Sequence, residues 1–244
     1  MVKSRSFRLA AGQTHHAADL APDAPFWAVG DVHGRADLLA PLLTRLIATG
    51  EQVVLLGDYI NRGGDSAEAL RLVHQAGQAG QITALRGNHE DLLVRFLARP
   101  RIAARQFVRY GGNATLRAFG VAPLDDTASP RDISACRNAL AAAMGPLADW
   151  LQQLPWMYLS GNVAALHAGA DPAQPVAAQF PPSLAWGHHR FTKDARTDGL
   201  WVAHGHHRVA QVTVKDRRIA VDTGAYETGI LSAVRIAAGS VAVA

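Results

Sequence analysis

Carboxylate, imidazole and amide side chains recur beside glycines at three places in the first part of the chain. The strings are Gly30-Asp31-Val32-His33-Gly34, Gly57-Asp58-Tyr59-Ile60-Asn61-Arg62-Gly63 and Gly87-Asn88-His89-Glu90. Asp, His and Asn together suit hard or borderline divalent metals. Two such ions about 3.5–4 Å apart are a recurring device for hydrolysing phosphate esters. A two-metal hydrolase needs a ligand shared by both ions, ligands unique to each, and a water between them. That water loses a proton at neutral pH because both cations stabilise hydroxide.

Groups of this kind need a rigid frame. Each string follows an apolar run that reads as a strand: Phe26-Trp27-Ala28-Val29, Val53-Val54-Leu55-Leu56 and Ile82-Thr83-Ala84-Leu85. Each precedes a stretch that reads as a helix, and in open α/β sheets sites form at the strands' carboxyl ends. Arg35 to Ala48 carries Leu38, Leu39, Leu42, Leu43, Leu46 and Ile47 at helical period. Ser66 to Ala79 repeats the pattern, with Ser66 as N-cap and Glu68 in the first turn. Glu90 to Ala98 continues as a helix that Pro100 ends. Residues 101–155 are rich in Ala and Arg and read as a helical insert over or beside the site, broken near Gly111-Gly112, Gly120 and Pro130. Strands return at about 163–167, 200–204, 209–214, 219–222 and 230–236, which fits a second sheet packed on the first. Residues 1–24 read as a loose lead-in with a solvated His15-His16 pair. The expectation is an α/β fold in one domain, 1–244, with two mixed β-sheets packed as a sandwich and flanked by helices.

Composition narrows the function classes. The 244 residues are 49% hydrophobic, enough for a sizeable core, and contain no run of eighteen apolar residues that could span a membrane. The N-terminus carries Lys3, Arg5 and Arg8 without the apolar segment of a signal peptide. The single cysteine, Cys136, cannot form an internal disulfide, so a reducing, cytoplasmic setting is the default. A net charge of +4 could steer anionic substrates but equally fits ordinary surface charge. The arginines from Arg95 to Arg117 lack interleaved stacking aromatics, so nucleic acid is not an expected partner.

The three strings, in order and each at a strand end, resemble the calcineurin-like metallophosphoesterase superfamily. They are most similar to its phosphoprotein-phosphatase branch, with signatures GDxHG, GDxVDRG and GNHE, and the resemblance runs from about Gly30 to about Arg235. It implies that Asp31 and His33 bind one ion, that Asp58 bridges both, and that Asn88 binds the second. His167, in Leu166-His167-Ala168-Gly169, resembles the family's next ligand. His206, in His204-Gly205-His206-His207, aligns with its last one, although His204 alternates alike along a strand and could also face the site. Arg62 falls where the family grips phosphate, as a guanidinium fork can. His89 falls where the family protonates the leaving alkoxide, which imidazole can do near neutral pH. The implied cofactors are two divalent ions. Manganese suits the donor set, and iron and zinc tolerate it.

The chain also departs from that pattern. Asn61 stands where the branch has an aspartate that orients and charges the catalytic histidine. An amide can orient His89 but cannot stabilise imidazolium by charge. Symmetric dinucleoside tetraphosphatases, which resemble the same branch, also lack that aspartate, and their nucleotide leaving groups need little protonation. After Trp186 the family often places a second phosphate-gripping arginine. Here Arg190 is the candidate, with His188 nearer the usual spacing. His207-Arg208 replaces the usual Thr-Pro. Asp222-Thr223-Gly224-Ala225-Tyr226 resembles a strand-turn near the site. Asp222 and Tyr226 read first as structural, with support and lining of the site as the alternative.

The leading expectation is a dinuclear, serine/threonine-phosphatase-like hydrolase in which a metal-bridging hydroxide attacks phosphate monoesters of a phosphoprotein or small molecule. The alternative is symmetric hydrolysis of a dinucleoside tetraphosphate. A third is a silent binding protein on the same scaffold, which the full set of six ligands argues against.

Overall fold

The computed structural model describes residues 7–244; Lys3 and Arg5 of the lead-in lie outside them. In chain order the strands are β1 Phe7–Leu9, β2 Thr14–His16, β3 Phe26–Val29, β4 Gln52–Leu55, β5 Ile82–Ala84, β6 Met157–Ser160, β7 Val163–Leu166, β8 Trp201–His204, β9 Val212–Lys215, β10 Arg218–Ala220, β11 Ala233–Ala237 and β12 Ser240–Val243. The helices are α1 Ala36–Ile47, α2 Ser66–Gln78, α3 Asn88–Ala98, α4 Pro100–Arg109, α5 Gly112–Ala118, α6 Pro130–Met144, α7 Pro146–Gln153, α8 Pro181–Trp186 and α9 Ala225–Thr228.

Two six-stranded sheets form, in the orders β2-β12-β11-β3-β4-β5 and β1-β9-β10-β8-β7-β6. Both are mixed: β3, β4 and β5 run parallel, as do β7, β8 and β10, with antiparallel neighbours outside them. Period-2 alternation assigns the faces. Val54 of β4 points between the sheets with Phe26, Ala28, Val163, Ala165 and Ala203. Its neighbours Val53 and Leu55 point the other way, against Leu39, Leu43 and Leu70 of the flanking helices. A smaller cluster around Leu184 and Phe191 covers the outer face of the second sheet. The expected sandwich flanked by helices is therefore present. Residues 101–155 contain α5 to α7 and all of α4 but its first residue, Pro100, and α4 packs along α3.

The lead-in differs from expectation. Its described part, residues 7–24, is not loose: β1 pairs antiparallel with β9 in one sheet and β2 with β12 in the other. Asn162 Oδ1 accepts from Ala21 N, and Ser160 Oγ from Asp23 N, which tie the segment down further. Three-residue strands show no period in sequence, so nothing local announces them. His15 is half-buried, its ring 4.3 Å from that of Phe7, while His16 is exposed. Strands β6 and β12 were likewise not expected.

The ends of β4 and β5 are joined by one carboxylate. Glu90, in the first turn of α3, accepts from the backbone N–H groups of Asp58 at 2.7 Å, Tyr59 at 2.8 Å and Gly87 at 3.0 Å. The Tyr59 hydroxyl completes the join by donating to Leu85 O at 2.7 Å. Replacing Glu90 with Ala would strand three buried donors, each worth about 1–3 kcal/mol when unpaired. We expect Glu90→Ala to lose at least about 3 kcal/mol of unfolding free energy in a urea titration. A loss below about 1 kcal/mol would show that these donors find other partners.

Candidate metal centre

The six residues expected as ligands come together where β3, β4, β5, β7 and β8 end. His33 Nε2 lies 3.9 Å from Asp31 Oδ2 and 3.5 Å from Asp58 Oδ2. On the other side of Asp58, its Oδ1 is 3.3 Å from His167 Nε2. Asn88 Oδ1 lies 2.9 Å from His167 Nε2 and 3.0 Å from His206 Nδ1. Adjacent ligands of one ion at about 2.1 Å are about 3.0–3.4 Å apart in octahedral or tetrahedral geometry. The spacings around His167 and Asn88 are close to that size, while His33 stands further from its neighbours. Two groups of close donors share Asp58, one with His33 and His89 and the other with His167 and His206.

The imidazoles are oriented for ligation. His33 Nδ1–H donates to Ile60 O and His167 Nδ1–H to Leu56 O, each at 2.9 Å. Both therefore turn an Nε2 lone pair to the centre. His206, not His204, enters the cluster. His204 is buried against Phe191, ring centroids 4.9 Å apart, with Nδ1 2.9 Å from Gly205 O. The strand alternation that would have made the two equivalent breaks at His206, whose φ is +58°.

That backbone feature recurs. Among the described residues, the non-glycines with positive φ are His33, Asp58, Asn61, Arg62, His206, Asp216 and Arg217. The last two form the turn of the β9–β10 hairpin, where such angles are usual. The other five are all expected site residues. A left-handed non-glycine costs about 1–2 kcal/mol and persists where its surroundings impose it, as active sites do. Two glycines make the close approaches possible. A Cβ on Gly87 would collide with Asp58 Oδ1, and one on Gly205 with Asp31 Oδ1.

The electrostatics call for cations. Burial, then Asp222 and Asp58, push the Asp31 carboxyl well above the usual carboxylate range. Burial also works against ionising Asp58, but His167, His89 and His33 outweigh it and hold that carboxyl well below the range. Burial opposes a charge on His167, yet Asp58 and Asp31 raise it to about 10. A cavity that draws a proton onto a fully buried histidine lacks positive charge, and divalent ions supply it. Burial, reinforced by His167, lowers His206 to about 3, which leaves its lone pair free for a metal. The donors present thus fit two divalent cations in charge, geometry and tautomer.

The remaining candidates divide. His89 lies beside the cluster, with Nε2 3.8 Å from Asp58 Oδ2. Asn61 Nδ2 is 2.8 Å from His89 Nδ1, and the amide is turned by Thr115 Oγ1, which donates to Asn61 Oδ1 at 2.7 Å. With the amide in this orientation Nδ1 accepts and Nε2 carries the proton toward the metal ligands, which makes the approach of Arg62 Nη2 to Nε2 a contact between two donors and not a hydrogen bond. Burial, reinforced by His33, Arg62 and His167, lowers His89 to about 3. Arg62 is exposed, with Nη2 3.4 Å from His89 Nε2 and Nη1 donating to the Tyr226 hydroxyl at 3.2 Å. Tyr226 also lies edge-on to His33, ring centroids 5.2 Å apart, and so lines the site. Asp222 is buried near Asp31, with Oδ1 accepting from Gly224 N at 2.8 Å.

Arg190 is not brought to the cluster. Its guanidinium is half exposed and paired with Asp194 at 2.6 Å, and none of its hydrogen bonds or ion pairs reaches the ligands or His89. Buried Phe191, packed on Gly169 and His204, anchors the segment and leaves Arg190 facing outward. His188 instead lies 3.9 Å from Asp171. Glu90, Thr115 and Arg208 were not singled out as site residues. The GNHE string held the only local signal for Glu90; Thr115 and Arg208 arrive by tertiary approach.

The chain is 32% identical over 150 residues to the symmetrical bis(5'-nucleosyl)-tetraphosphatase of Thioalkalivibrio sulfidiphilus (strain HL-EbGR7), covering 60% of this chain and 45% of that one. It spans about half the length of the curated relatives it matches. A crystal structure provisionally described as a diadenosine tetraphosphatase superposes with a TM-score of 0.61 at 20% identity, over 91% of this chain and 93% of the other. A cold-active protein tyrosine phosphatase superposes with the same TM-score at 17% identity, over 91% and 79%. These two establish the shared fold. No helix among the described residues is long and apolar enough to cross a membrane. The calcineurin-like phosphoesterase family matches residues 24–224, and the chain belongs to that family.

Proposed function

We propose that the chain is a dinuclear, metal-dependent hydrolase of phosphate esters with weakly basic leaving groups. The observation that carries this reading is the Asp58 carboxylate, whose two oxygens face two separate ligand groups. Two divalent cations there, with manganese expected, would activate a water and neutralise charge on the phosphoryl group. The protein's own groups do the rest. Arg62 offers two parallel N–H donors to phosphate oxygens in the ground state and at the transferring group. His89, protonated on Nε2 beside Asp58, donates a hydrogen bond toward the leaving oxygen. Asn61 holds that ring but turns its amide N–H toward Nδ1, so it opposes a second proton there. A histidine kept neutral is a weak acid for a departing alkoxide and adequate for a leaving group that is stable as an anion.

That last point favours a second reading, cleavage of a phosphoanhydride in a dinucleoside polyphosphate. The leaving nucleotide needs little protonation, and the relatives named above are tetraphosphatases.

Three outcomes test the proposal. Asp58→Asn should bind fewer than two manganese ions by elemental analysis and lose at least a hundredfold in rate, about 2.7 kcal/mol of barrier, with far-UV circular dichroism unchanged. More than a tenth of the activity with both ions bound would remove Asp58 from its bridging position. Gly205→Ala should weaken manganese binding at least tenfold, because its Cβ displaces Asp31; unaltered affinity would contradict that contact. For the leaving group, kcat/KM is compared on p-nitrophenyl phosphate and phosphoserine. His89→Ala should hurt the alkyl ester far more, and Asn61→Asp should raise its rate, since a carboxylate stabilises imidazolium. Equal losses in His89→Ala without a gain in Asn61→Asp would sink the account of this pair.

A further inference from the structure

The Tyr226 hydroxyl is approached by two guanidinium groups. Arg62 Nη1 donates to it at 3.2 Å and Arg208 Nη1 at 3.4 Å, so the two nitrogens lie no further apart than the sum of those lengths. Both guanidiniums also lie near the tyrosine ring, 5.0 and 5.6 Å from its centroid. Like charges held this close repel unless an anion lies between or beside them. For Arg208 the anion at hand is Glu227, which accepts from Nη2 at 2.8 Å in a half-exposed pair of small worth. Arg62 has no carboxylate partner among the described residues.

The position of Arg208 is a built one. Val209 N–H donates to Asp222 O at 2.9 Å, which ties the loop after β8 to the end of β10. Gly224 leaves open the space that the guanidinium fills; a Cβ there would come within 2.6 Å of Arg208 Nε. Tyr226, the point of convergence, touches the ring of His33, so both arginines stand at the mouth of the metal centre. Neither the two ligand groups nor the His89–Asn61 pair makes use of Arg208.

We infer that Arg208 is a specificity-determining residue that binds the phosphate adjacent to the one held by Arg62, so that the site takes chains of at least two consecutive phosphates. This rests on the hydrolase reading above and narrows its substrate class to polyphosphates, free or nucleoside-linked. A phosphate monoester offers one phosphoryl group, which the metal centre and Arg62 occupy, and leaves Arg208 to Glu227. A polyphosphate carries further negative charge one phosphate along, within reach of the second fork, and displaces Glu227 from a weak surface pair. Glu227 therefore competes with the longer ligands and leaves single phosphates unaffected.

The test compares two ligands on one protein. The metal-loaded chain, with manganese in excess of the ligand, is titrated calorimetrically with orthophosphate and with tripolyphosphate, in wild type, Arg208→Ala and Glu227→Gln. The same proteins are assayed for kcat/KM on p-nitrophenyl phosphate and diadenosine tetraphosphate. Arg208→Ala is expected to cut the affinity ratio of tripolyphosphate to orthophosphate at least tenfold and the matching kcat/KM ratio similarly. Glu227→Gln is expected to raise both. Ratios that Arg208→Ala leaves within twofold of wild type overturn the inference, as does equal weakening of both ligands. If neither ester nor anhydride is cleaved but the binding ratio still falls in Arg208→Ala, the hydrolase reading fails and the phosphate-binding role stands. If both are cleaved at ratios indifferent to Arg208, the hydrolase reading stands and this role does not.

Discussion

Everything at the centre hangs on where the main chain of Asp58 is held, and the buried carboxylate of Glu90 holds it. By accepting three N–H groups from two loops, Glu90 lets the chain turn through a left-handed residue at Asp58 without leaving donors unpaired. The cost is a second acid beneath the bridging acid. Burial, with Asp58 nearby, pushes the Glu90 carboxyl up to about 7. The arrangement therefore gathers negative charge in a low-dielectric region and becomes favourable when cations arrive above it. Positioning and metal affinity are in this sense one property of the same carboxylates.

The two sheets contribute unequally. The first supplies Asp31, His33, Asp58 and Asn88 from the ends of adjacent parallel strands, where the loops bond directly to one another: Val32 and His33 N–H both donate to Asp58 O. The second supplies His167 and His206, and it can do so only because Gly205 lets its chain pass against Asp31. The centre is thus a seam between the sheets, with the apolar sandwich of Phe26, Val54 and Ala165 behind it as the rigid backing.

Much of this was legible in the sequence, for local reasons. Asp31, Asp58, Asn88 and His167 each follow an apolar strand, and each stands beside or one residue from a glycine, so type, order and spacing carry the information. The strands of the first sheet showed as apolar runs and the helices after them as leucine periods. What could not be read was set by distant approach. Thr115 reaches Asn61 across 54 residues, and Tyr226 meets Arg62 across 164. The placing of Arg190 away from the cluster was also hidden, because spacing from Trp186 says nothing of how the chain turns after Gly187; a buried phenylalanine one residue on decides it. Strands β1 and β2 are too short to show alternation and are defined only by the edges they meet.

The hydroxyl of Thr115 makes α5 more than a cover. It selects which face of the Asn61 amide meets His89, and so which imidazole nitrogen holds the proton. Residues 101–155 are then not an interchangeable module. Grafting a relative's insert onto this scaffold would carry away the group that sets the tautomer, and the graft would alter proton chemistry even with every metal ligand left in place.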